Sequence, residues 1–140
     1  EMSILEALRA GEKLGKEDFE KAVKILKWRG FDLEPEYYDE EGGCSDHPKA
    51  GSILVKDYAY VDRGKTMKMA MGYVCLGCLL EGYTMLLGDD VSIVFDEGGV
   101  KIEHPKNKPI YKKVRIRPLK EDEKKKRRVI LPRKTVVVRA

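Results

Sequence analysis

The chain has no Gln, a single Asn (Asn107), three cysteines and two histidines among its 140 residues. Amide depletion beside 37% charged side chains is the composition expected of a hyperthermophile protein, where Lys, Glu and Arg replace thermolabile residues. Three cysteines cannot close as pairs, which excludes a disulfide framework. No internal repeat occurs, and no Gly-rich loop suited to cradling phosphate. The N-terminus lacks the continuous apolar stretch of a secretory signal, so a cytoplasmic location is expected. Glu1 precedes Met2, and Met2 is the expected natural start.

Long apolar runs are scarce as well. Met69 to Gly88 holds one charge, Glu81, across 20 positions, about the length of a membrane-spanning helix. Four glycines, a Cys-Leu-Gly-Cys turn and the central Glu81 oppose a lipid-facing helix, so the segment reads as core. With 42% hydrophobic residues the chain also has enough apolar material to fold.

Charge of one sign is missing from each part of the chain in turn. The net charge of +4 hides a split: residues 1–100 carry 12 basic and 20 acidic side chains, residues 101–140 carry 16 and 4. A body of −8 followed by a segment of +12 is a statement about partners, because like charges repel until something of opposite sign approaches.

Three segments are expected: a helical N-terminal part (1–31), a metal-binding hairpin and helix body (32–104) and a basic β-ribbon (105–140). Ser3-Ile4-Leu5-Glu6 has the capping-box pattern that starts a helix. A second helix is expected from Lys16 to Arg29, with Phe19, Ala22, Val23 and Leu26 as its buried stripe and Gly30 ending it. Asp32 to Glu41, acidic and aromatic, reads as a loop. From Ser52 to Cys75 the period changes to two, with Asp62-Arg63-Gly64-Lys65 as the turn of a hairpin. Here Ile53, Val55, Ala59 and Val61 are expected on one face, and Leu54, Lys56, Tyr58 and Tyr60 on the other. Leu79 to Leu87 has the length of two helical turns. Val91–Phe95 and Val100–Glu103 read as a second hairpin. Ile110–Arg117 and Val129–Arg139 read as strands joined by a solvated loop at Lys120–Arg128.

The cysteines carry the sharpest signal. Cys44-Ser45-Asp46-His47 and Cys75-Leu76-Gly77-Cys78 each place two ligand types two residues apart, the spacing at which a tight turn aims both at one ion. Together they form a Cys₃His set, the closed tetrahedral arrangement of structural zinc, and the hairpin between them would fold the pairs together. A Cys75–Cys78 disulfide is the competing arrangement. Over residues 42–88 the order of ligand knuckle, hairpin and ligand pair opening a helix resembles the treble-clef arrangement of zinc fingers. A zinc ribbon is the alternative if Leu79–Leu87 is not helical. Four filled positions leave no room for a catalytic water. The His-x-Glu and Pro-Cys-x-x-Cys pattern of zinc deaminases is missing, since Pro48-Lys49 follows His47 and Val74 precedes Cys75. Asp46 is left as a candidate ligand or outer partner of the metal. His104, Asp89-Asp90 and Asp96-Glu97 read as strand-end or turn residues.

The fold expected is therefore α+β: two helices, a zinc-pinned hairpin and a mostly antiparallel C-terminal sheet. No catalytic constellation is present, and a non-enzymatic protein is expected. Lys112, Lys113, Arg115, Arg117, Lys124, Lys125, Lys126, Arg127, Arg128, Arg133 and Lys134 form a cationic stripe suited to nucleic-acid phosphates, RNA or DNA undecided. Tyr111, Tyr58 and Tyr60, with Lys56, are candidates for stacking on bases. The alternative partner is another protein or a second copy, with the acidic body docking on basic ends.

Overall fold

The computed structural model describes residues 3–87, 92–96, 99–103 and 111–124. Helix α1 (Ile4–Arg9) starts as its sequence predicts: the Glu6 amide donates to Ser3 Oγ at 3.1 Å. Helix α2 (Lys16–Trp28) buries Ala22, Val23 and Leu26. Its end is closed by Gly30 at φ +99°, where the Phe31 amide reaches back to the Leu26 carbonyl and the Gly30 amide to that of Lys27. Those two bonds satisfy carbonyls that a helix terminus otherwise leaves without donors.

The segment read as an acidic loop is instead a strand. β1 (Asp32–Asp39) pairs antiparallel with the first half of β2 (Ser52–Asp62), burying Leu33. Its register shifts between Glu34 and Tyr38, so Pro35 sits in the irregular part of a strand, where a missing N–H costs no ladder bond. Pro35 and the dense acidic residues hid this strand in the sequence.

β2 and β3 (Lys65–Cys75) form the expected hairpin, in register from Ser52↔Cys75 to Asp62↔Lys65. Arg63 and Gly64 both have positive φ, 51° and 78°, the two-residue turn whose twist matches the strands. The strict alternation along β2 fails at Asp57, which has φ 50°. Asp is among the few side chains that tolerate this left-handed backbone. Beyond it Tyr58 and Tyr60 turn inward, 5% and 7% exposed, joining Ile53 and Val55, while Val61 is 48% exposed. The same residue marks a change of partner: before it β2 pairs with β1, after it with β7 (Tyr111–Pro118). The Asp57 carbonyl accepts from the Leu119 amide at 2.9 Å.

A second correction concerns Leu79–Leu87. The helix comes earlier, as α3 (Leu76–Glu81), and Gly82 at φ +90° stops it. Tyr83–Leu87 is strand β4, paired antiparallel with β7 from Tyr83↔Arg115 to Leu87↔Tyr111. The five-stranded sheet thus runs β1-β2-β7-β4, with β3 on the other edge of β2. β5 (Ser92–Asp96) and β6 (Gly99–Glu103) pair as the expected separate hairpin. Part of the segment read as a solvated loop is one helical turn, α4 (Glu121–Lys124). The Val129–Arg139 strand lies outside the described residues.

All strand pairings described are antiparallel, and with four helices the architecture is α+β. Leu8 of α1, Leu26 of α2, Ile53 and Val55 of β2, and Leu76 and Leu79 of α3 are fully buried in one cluster. Burial on this scale, roughly 1.5–3 kcal/mol for each large aliphatic side chain, fixes both helices and the open end of the hairpin against α3. No helix among the described residues is long and apolar enough to cross a membrane.

Candidate metal centre

The open end of the β2–β3 hairpin is where the two ligand pairs meet. The first pair lies in the tight turn just before β2. There the Cys44 amide donates to the His47 carbonyl at 3.4 Å and the His47 amide to the Cys44 carbonyl at 3.1 Å. The Gly43 amide donates to Ser52 Oγ at 3.1 Å, tying the turn to the first residue of β2. The second pair lies where β3 becomes α3: Cys75 caps the helix and Cys78 sits in its first turn. The Ser52↔Cys75 pairing and a bond from the Leu76 amide to the Gly51 carbonyl at 3.0 Å bring the two pairs side by side.

Their donor atoms converge. Cys44 Sγ is 3.2 Å from His47 Nδ1, 3.5 Å from Cys78 Sγ and 3.7 Å from Cys75 Sγ. His47 Nδ1 is 3.8 Å from Cys75 Sγ and 3.6 Å from Cys78 Sγ. A tetrahedron with metal–sulfur bonds of about 2.3 Å has sulfur–sulfur edges of about 3.8 Å, so these separations are those of ligands around one small ion. Cys44, His47, Cys75 and Cys78 are therefore positioned to hold a metal, and the donor set is consistent with zinc. All three cysteines are free, with no disulfide between them.

Sulfurs this close do not ionise independently. The Cys78 thiol, with smaller help from Cys44, hydrogen-bonds to the Cys75 sulfur and holds its pKa down at about 5, against the desolvation that burial imposes. Donating to that sulfur, together with burial, pushes the Cys78 thiol up. Cys44 is raised by burial first and by the charge at Cys75 second. A second and third thiolate in this space require a cation among them, which is the electrostatic task a divalent metal performs.

Glu81 and Gly77 complete the centre. His47 is fully buried, and its far nitrogen Nε2 lies 2.5 Å from Glu81 Oε1, at the end of α3. The two atoms are in ion-pair range but not aligned as a hydrogen bond, and neither makes a hydrogen bond to any other group among the described residues. A carboxylate on this side of the ring favours the tautomer with its proton on Nε2, in which the Nδ1 lone pair faces the three sulfurs. Glu81 Oε2 in turn accepts from Arg9 of α1 at 2.8 Å. Glu81 is held below its ordinary pKa, its burial outweighed by Arg9 and by the charges of His47 and Lys113. Gly77, which with Gly42 and Gly43 suits the backbone turns of such a site, is also needed for space: a Cβ there would lie 2.3 Å from His47 Cγ. The imidazole packs directly on the helix backbone, and no side chain fits between them. The signal for Glu81 was its spacing, since it falls three residues after Cys78 on the same helical face once α3 begins at Leu76.

The Asp46 carboxylate is not among the converging donors, although its backbone N–H donates to the Cys44 sulfur. The carboxylate pairs with Lys113 of β7 at 2.8 Å, and that bond lowers its pKa.

The expected nucleic-acid stripe is placed only in part. Lys112, Lys113, Arg115 and Arg117 lie on β7 and Lys124 ends α4, while 125–134 lie outside the described residues. Lys112 pairs with Asp62 at 2.5 Å and Lys113 with Asp46. Arg117 makes two parallel bonds to Glu123 at 2.7 and 2.8 Å, and Lys124 meets Glu121 at 3.0 Å. Arg115 has its guanidinium 5.3 Å from the Tyr83 ring centre and is the one described member of the stripe without a carboxylate partner. Tyr58 and Tyr60 are in the core, a consequence of the turn at Asp57, and offer no stacking surface. Lys56 is tied to Glu34 at 2.6 Å. His104 and Asp89-Asp90 lie outside the described residues.

No family model, no curated protein and no solved structure matches the chain.

Proposed function

We propose that the chain is a zinc-stabilised, non-catalytic nucleic-acid-binding module. The observation that carries the metal half is the convergence of Cys44, His47, Cys75 and Cys78 within 4.8 Å of one another at the open end of a hairpin. Four protein donors fill a tetrahedral ion, leaving no position for substrate or water, so the zinc is architectural. The order of knuckle, hairpin and helix, with Cys78 inside α3, favours the treble-clef type over a ribbon. The metal joins the turn before β2 to the helix after β3, adding a link where the Ser52↔Cys75 pairing already holds the two segments side by side.

The partner half rests on charge: the last 40 residues carry +12 against −8 for the rest. Lys112, Lys113 and Arg117 of β7 are paired, but exposed ion pairs are worth only about 0–1 kcal/mol and exchange readily for phosphate. Arg115 and the run Lys125, Lys126, Arg127, Arg128, with Arg133 and Lys134, then supply the remaining contacts. Binding to oligonucleotides at a series of salt concentrations tests this. A steep loss of affinity with rising salt is expected, and affinity flat in salt, or no binding to RNA or DNA, contradicts it.

A second reading, a protein-assembly module, draws on the same ion pairs, since Lys112, Lys113, Arg117 and Lys124 have all selected carboxylates. A salt-sensitive dimer in sedimentation, without nucleic acid, favours it.

A further inference from the structure

Helix α2 carries a surface that the metal centre does not explain. Trp28, the chain's single tryptophan, is 87% exposed, and Ile25 one turn earlier is 38% exposed. Lys21, Lys24 and Trp28 follow the i, i+3, i+7 spacing of one helical stripe, opposite the buried Ala22, Val23 and Leu26. Residues 21–29 contain Lys21, Lys24, Lys27 and Arg29 and no acidic residue, inside a body that is otherwise net negative.

Two of these cations are already engaged. Arg29 donates to the Leu80 carbonyl at 2.8 Å, and Lys27 is close enough to Glu34 to lower its pKa. Lys21 and Lys24 have no ion-pair partner among the described residues, Glu17 and Glu20 one turn earlier included. The helix also ends beside the start of the basic C-terminal run. A Cβ on Gly30 would lie 3.4 Å from Pro118 Cγ, and Lys124, the last described residue before Lys125, feels the charge of Asp32.

An exposed indole flanked by ammonium groups that have no ion-pair partner among the described residues has the two parts needed to hold a single nucleic-acid strand. A π-face stacks on an unpaired base, and cations one and two turns away meet the flanking phosphates. We propose that Trp28, with Lys21 and Lys24, is a stacking platform for an unpaired base. The occupant is a single strand, because in a duplex the base faces are covered by their neighbours. Trp28 takes the role that the sequence had offered to Tyr58 and Tyr60. This inference rests on the nucleic-acid reading above and narrows it to single strands.

Trp28 also provides the probe. Its emission is followed while the intact, zinc-loaded protein is titrated with 12-residue oligo(U), oligo(dT) and a duplex of the same length. The free protein is expected to show the emission of a water-exposed indole, quenched by the single strands and far less by the duplex. Trp28→Ala, at an exposed site, should weaken single-strand binding by roughly five- to a hundredfold, and Trp28→Phe should restore most of it. Lys21→Glu with Lys24→Glu should weaken binding further and flatten its salt dependence. Oligonucleotide binding that leaves the emission and the Trp28→Ala affinity unchanged overturns the platform and leaves the function standing. Equal quenching by duplex also overturns it. Emission that responds to protein concentration alone assigns the face to a second copy and overturns it. No binding of any oligonucleotide overturns both proposals.

Discussion

Replacing Glu81 by Ala removes the carboxylate that faces the buried far nitrogen of His47. In the intact protein Glu81 Oε1 lies 2.5 Å from His47 Nε2, and the imidazole is fully buried, so water does not substitute for the lost oxygen. A buried donor left without an acceptor costs about 1–3 kcal/mol. Loss of a carboxylate behind a ligating histidine lowers metal affinity by about 10–100-fold, or about 1.4–2.8 kcal/mol, which is the same range reached independently. The broken contact to Arg9 adds little, because the Arg9 side chain is 55% exposed and water solvates it again. Glu81→Gln keeps an oxygen for His47 but presents its amide N–H₂ to the Arg9 guanidinium, donor against donor, and should fall between Ala and wild type. The assay is competition for zinc against a chromophoric chelator, with the thermal midpoint of each zinc-loaded variant measured alongside. Wild-type zinc affinity and an unchanged midpoint for Glu81→Ala would refute the coupling between α3, His47 and the metal.

Gly77→Ala sets two effects against each other. Ala gains about 1 kcal/mol of helix propensity over Gly, whereas a methyl group 2.3 Å from His47 Cγ forces the imidazole off the cluster. Overpacking of this kind costs roughly 1–3 kcal/mol before any ligand is lost, so reduced zinc content and a lower thermal midpoint are expected. At the far end of β7, Arg117 bonds hold Glu123 down at a pKa of about 2, below its ordinary 4.5. A depressed carboxylate pKa stabilises the fold above the ordinary value, and that contribution disappears as pH falls toward 2. Thermal midpoints of wild type and Glu123→Gln should therefore differ at pH 6 and converge toward pH 2. A gap that stays constant across this range would contradict the assignment.

How much of this was legible in the sequence depends on whether the cause was local. The spacings Cys44–His47 and Cys75–Cys78, the Ser3 cap, the Gly30 stop and the Asp62–Lys65 turn all act within a few residues, and each reads directly from the chain. Asp57 does not. A single left-handed residue inside β2 turns Tyr58 and Tyr60 into the core and exposes Val61, and the alternating pattern carries no mark of it. β1 and β4 are strands because β2 and β7 lie beside them, a tertiary cause that overrides Pro35 in one and the apolar run after Cys78 in the other. Glu81 was visible only as an isolated charge in an apolar stretch. Its meaning depends on where α3 begins and on Arg9, 72 residues earlier. The basic stripe had the residues expected of it, but the carboxylates that meet them come from Asp46, Asp62, Glu121 and Glu123. Net charge does not reveal such pairing.

The central claim is a closed Cys₃His zinc centre, and X-ray absorption at the zinc edge of the protein, purified without chelator, tests it most directly. The expected shell is three sulfurs at about 2.3 Å and one nitrogen at about 2.0 Å, at about one zinc per chain. A protein free of metal, or a shell in which oxygen replaces one of the four donors, would contradict it.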